Sequence, residues 1–89
     1  AVLMDEELPS ETTQHMHDLA IAVPGVLGAH DLRTRISGTR WFVQLHLELP
    51  GAMSLSDAHA HCEAVEKAIH AHYPRAEVLV PETPGRMSR

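Results

Sequence analysis

Proline and glycine cut this chain into pieces too short for anything but a small layered fold. Breaks fall at Pro24-Gly25, Ser37-Gly38, Pro50-Gly51, Pro74 and Pro81. Each piece between them has one hydrophobic period. Ser10, after Pro9, is placed to cap a helix running to about Val23, with Met16, Leu19, Ala20 and Val23 as its apolar stripe. Pro24 ends it, because the residue before a proline is pushed out of the α region. Residues 26–36 alternate as a strand, with His30, Leu32, Thr34 and Ile36 on one face and Ala29, Asp31, Arg33 and Arg35 on the other. Residues 40–49 alternate more strongly. Trp41, Val43, Leu45, Leu47 and Leu49 point one way; Phe42, Gln44, His46 and Glu48 point the other. Ser37-Gly38 between the two strands predicts a β-hairpin. Ser54 with Asp57 three residues on opens a second helix to about Tyr73, with Leu55, Ala58, Cys62, Val65, Ile69 and Tyr73 as its stripe. Residues 77–80 read as a short last strand, and the segment from Pro81 on is a tail.

The order helix, strand, strand, helix, strand predicts an α+β two-layer sandwich (αββαβ), with two helices on one face of a three-stranded mixed sheet. The other face is left uncovered, with Phe42 pointing to it. A domain of 89 residues has a thin core, so pairing with a second copy through that face is the natural way to gain burial.

Charge narrows the function. Twelve acidic residues against seven basic ones give a formal charge of −5. That balance argues against a nucleic-acid partner, which needs a basic face to displace counterions from phosphate. No window approaches the ~20 apolar residues of a membrane span, and the start lacks the basic region of a signal peptide. The single cysteine cannot form an internal disulfide. Cys62 on the apolar stripe reads as a small buried hydrophobe. The chain carries neither a nucleophile elbow nor a glycine-rich phosphate loop, so it is not expected to be an enzyme.

The unusual count is eight histidines: His15, His17, His30, His46, His59, His61, His70 and His72. Protonating all eight would carry the formal charge from −5 to +3. Neutral imidazole suits zinc, iron, nickel and copper, so metal binding is the first candidate activity. His15/His17, His59/His61 and His70/His72 are each two apart and cannot share a helix face, so His15, His17, His61, His70 and His72 read mostly as surface. His30 and His46 lie on neighbouring strands. A loop of even length pairs even positions with odd ones, leaving His30 opposite Leu45 or Leu47. A three-residue loop or a bulge changes that parity and brings the rings together. His59 sits early in the second helix, with Glu63 one turn on. For Arg33, Arg35 and Arg40 the simplest role is a solvated face paired with Asp31 and Glu48, and an interface or anion contact is the alternative.

The run PGVLGAHDLRTRISGTRWFVQLHLELP, residues 24–50, resembles the cytoplasmic C-terminal domain of the cation diffusion facilitator family. It is most similar to the bacterial ferrous-iron/zinc efflux pump branch. The resemblance extends back over residues 3–11 and forward over residues 57–80. It implies a metallochaperone-like fold and a homodimer that binds metal at its interface. It further implies a proton-coupled antiporter in the inner membrane, whose own transmembrane domain this domain regulates. Carried over by position, the implied ligands are His30, His46 and His59. The family's histidine and aspartate after the last strand are replaced by Pro81 and Thr83, with Glu82 between them; Glu82 is the candidate substitute ligand, and His61 and His17 are the alternatives. Proline cannot ligate through its side chain and threonine is a poor zinc ligand. The expected site is thus His30, His46, His59 and Glu82, holding zinc or another divalent metal such as iron, cadmium, nickel or copper. Its affinity should fall at acid pH, because each imidazole must lose a proton to ligate. Asp5 matches an acidic position of the segment that joins the membrane. The implied division is a joining segment at 1–8, a metal-binding dimerisation domain at 9–81 and a tail at 82–89. A free-standing metallochaperone or metal buffer is an alternative, as is a dimerisation module without physiological metal.

Overall fold

The structure is a computed structural model that describes residues 6–81. Its elements are α1 (Ser10–Ile21), β1 (Gly28–Ser37), β2 (Arg40–Glu48), α2 (Leu55–His72) and β3 (Ala76–Leu79). The strongest alternation in the sequence takes the centre of the sheet, whose order is β1-β2-β3. β2 runs antiparallel to β1 and parallel to β3, giving the expected mixed sheet. Val43 and Leu45 turn toward the helices and are almost fully buried. They meet Met16 and Ala20 of α1 and Cys62, Val65 and Ile69 of α2 in one core, flanked by Trp41 and Leu47. Each such apolar side chain contributes roughly 1.5–3 kcal/mol by leaving water.

The helix starts differ. Ser54 caps α2 as expected, its hydroxyl accepting from the Asp57 N–H at 3.0 Å. Ser10 does not cap α1. Pro9 takes the cap position, and its carbonyl accepts from the N–H groups of Thr12 and Thr13. Ser10 is therefore already helical, and its own carbonyl accepts from the Thr13 hydroxyl. Leu55 was expected in the core stripe but is 55% exposed, so the stripe begins at Ala58, one turn later. Leu8, at the end of the expected joining segment, is a core residue, and its N–H donates to Thr34 Oγ1. Glu6 bridges to Ile36 along the outer edge of β1.

Two glycines shape the connections. Gly38, at φ +64, is the first central residue of a two-residue turn closed by the Ser37–Arg40 pair. Gly25, at φ +94, follows α1, and a Cβ built there would lie 2.3 Å from His61 Nε2. Gly25→Ala should lower the unfolding free energy by about 1–2 kcal/mol. Urea unfolding reads this as a lower midpoint at unchanged slope.

Candidate metal centre

The hairpin register decides whether His30 and His46 meet. From the turn inward, β1 and β2 pair even with odd as far as Arg33 opposite Gln44. The register then shifts, so that Asp31 and Leu32 together oppose Leu45. Asp31 takes the left-handed conformation that this bulge needs, at φ 58. Aspartate is one of the few residues other than glycine to tolerate it. Beyond the bulge the parity is reversed, and His30 pairs directly with His46. The expected strand face is corrected in the same way. Ala29 and Leu32 both pack on the core, while His30 is exposed.

The two imidazoles stack side by side, with ring centroids 5.8 Å apart and planes 13° from parallel. Each has a carboxylate beside it. Glu48 Oε2 lies 3.4 Å from His30 Nδ1, and Asp31 Oδ2 lies 3.7 Å from His46 Nε2. Asp31 also accepts from Arg33 Nε at 3.1 Å. Carboxylates next to imidazoles steady their orientation, as around bound metals. The pairing anticipated for the arginines with Asp31 and Glu48 is only partly met. Arg40 instead bonds Glu77, and Arg35 lies over the Phe42 ring at 4.6 Å from its centroid.

His59 stands in the first turns of α2, with Nε2 3.1 Å from Glu63 Oε2. Glu82, Thr83 and Asp5 lie outside the described residues. Among the described residues no three His, Cys, Asp or Glu side chains gather closely enough to hold an ion. The chemistry fits a borderline-soft divalent metal, since two imidazole donors converge on one solvent-facing patch. Two donors do not complete the tetrahedral set that zinc takes. The remaining ligands would have to come from water, from outside residues 6–81, or from a second copy of the chain.

The other histidines divide. His15, His70 and His72 are exposed, as expected. His17 and His61 are half-buried and serve the fold: His17 Nε2 bonds the Ala29 carbonyl and His61 Nδ1 the Asp57 carbonyl. Cys62 is buried, in line with its apolar position. Asp31 and Glu48 as neighbours of the paired imidazoles were not anticipated. The signal available for them was the His-Asp dipeptide, since aspartate suits a bulge.

The family model described as the cytoplasmic domain of cation efflux proteins matches residues 8–81. The cation-efflux pump FieF of Yersinia pestis (strain Pestoides F) is 46% identical over 82 residues, covering 92% of this chain and 27% of the pump. FieF of Yersinia pseudotuberculosis serotype O:3 (strain YPIII) matches equally. The chain thus spans about a quarter of the length of these relatives. Among solved structures, the zinc form of CzrB, described as a zinc transporter, superposes with a TM-score of 0.77 at 31% identity. That match covers 97% of this chain and all of the other. A MamM CTD variant in its nickel form gives 0.73 at 25% identity, covering 83% of this chain and all of the other. The fold, the histidine-bearing hairpin and these matches lead to one assignment: the chain belongs to the family of cation efflux protein cytoplasmic domains.

Proposed function

We propose that this chain is the metal-responsive regulatory domain of a divalent-cation efflux transporter in a bacterial inner membrane. Residues 1–8 join it to the transmembrane part, 9–81 form the working domain and 82–89 its tail. Two copies pair, and zinc or a similar divalent ion binds at their interface through His30 and His46. His59 and Glu82 complete the set from either copy. The observation that carries this reading is the bulge at Asp31, which sets His30 opposite His46 on the sheet face the helices leave uncovered. Among the described residues one chain gathers too few donors, so sharing the ion between two copies supplies the rest. The metal forms of CzrB and MamM domains support binding of divalent metal by this fold.

The mechanism is linkage. An ion that bridges two copies binds the closed dimer better than the open one and shifts the population toward closed. Through the joining segment that closure would favour proton-coupled efflux by the membrane part. The domain itself catalyses nothing; the ion it senses is of the same class as the ion exported. Small-angle scattering of the 89-residue chain tests this, with zinc and with chelator. Zinc should raise the dimer fraction and shrink the dimer's radius of gyration. Identical curves in the two conditions would defeat the proposal.

A further inference from the structure

The helical side of the domain carries a second pair of histidines that the hairpin site does not use. His15 on α1 and His72, the last residue of α2, approach with ring centroids 5.3 Å apart and planes 87° from parallel. Both rings are held by their Nδ1 atoms. His15 Nδ1 lies 2.6 Å from the Tyr73 hydroxyl, and His72 Nδ1 lies 3.3 Å from the Ala68 carbonyl. A carbonyl only accepts, so in the neutral ring the proton of His72 sits on Nδ1, leaving the Nε2 lone pair open. The Tyr73 hydroxyl can accept from His15 in the same way. An outer partner on one ring nitrogen that frees the other for a metal is the usual support for a histidine ligand. Among the described residues neither Nε2 has a hydrogen-bond partner.

We propose that His15 and His72 form a separate site for a divalent transition-metal ion of the zinc or copper type. The spacing fits. Two imidazoles on one tetrahedral zinc, with Zn–N bonds of ~2.0–2.1 Å, put their centroids ~5.2 Å apart, against 5.3 Å here. The position fits as well. His72 closes α2, whose last turn carries the negative end of the helix dipole and so favours a cation. With two protein ligands the other positions go to water. The ion is therefore held weakly and exchanges quickly, which suits capture from solution rather than retention. The site lies on the helix layer, and its binding does not depend on the hairpin pair.

The test removes the hairpin donors and leaves the second pair. The His30→Ala/His46→Ala chain is titrated with zinc alone, by calorimetry and by long-range 1H–15N correlation of the imidazoles. One zinc per chain should remain, and the Nε2 resonances of His15 and His72 should move together. Adding either His15→Gln or His72→Gln should weaken that zinc at least tenfold. Both side chains are exposed, and circular dichroism confirms that each variant is folded. Absence of residual zinc, or residual zinc indifferent to either glutamine, overturns the site. A response of one ring without the other overturns it too.

Discussion

Replacing His46 with alanine is expected to weaken zinc binding at the hairpin site at least about a hundredfold. Loss of a partner that merely orients a ligand costs ~10–100-fold, and loss of the ligand itself costs no less. His46 sits on the central strand, directly opposite His30, with the Asp31 carboxylate beside it. Its side chain is turned away from the core, so the substitution should leave the melting temperature of the metal-free domain nearly unchanged. His30→Ala should have a similar effect. The double variant should lose little more than either single one, because both rings serve one ion and contacts within one site are not additive. Calorimetric zinc titration of the four proteins checks this. Affinity within threefold of wild type in His46→Ala would remove His46 from the site.

Leu45→Ala carries the largest expected cost to stability, about 2–5 kcal/mol. Leu45 has no exposed surface, lies on the central strand and faces the bulge pair Asp31 and Leu32. Truncation forfeits the transfer energy of the side chain and leaves a cavity between sheet and helices. Domains of this kind have roughly 5–15 kcal/mol of total stability, so the variant should be partly unfolded at 37 °C. Metal binding should fall with it, since the hairpin register that pairs the histidines is fixed by the same strand. Chemical denaturation gives the cost, and a loss below about 1 kcal/mol would show that the site collapses without a cavity.

Those two residues also show what the sequence made legible. Leu45 was assigned to the core by strand alternation, and the structure places it there. Val43, Met16, Ala20, Cys62, Val65 and Ile69 follow the same rule, because a period of two or of 3.6 leaves little choice of buried face. The meeting of His30 and His46 could not be read this way. Alternation gives faces within each strand, but the pairing of two strands depends on how many residues the turn and any bulge consume. A single extra residue at Asp31 reverses the parity. The histidine–aspartate pair hinted at the bulge without requiring it. Helix ends were legible to within a residue or two, and Ser10 failed as a cap because Pro9 holds the cap position and Ser10 is already helical. His59 was placed correctly on its helix, but its proposed role as a ligand depends on a second copy. A sequence does not show what two copies place side by side.

One metal ion is proposed to be held by His30 and His46 where two copies of the chain meet. A crystal structure of the zinc-loaded chain, with anomalous data collected at the zinc edge, tests it directly. The expected result is an anomalous peak ~2.0–2.1 Å from a ring nitrogen of both His30 and His46, with a further ligand from the neighbouring copy across a symmetric interface. A zinc-loaded crystal with no peak at this pair, or with both histidines facing solvent away from any second copy, would contradict it.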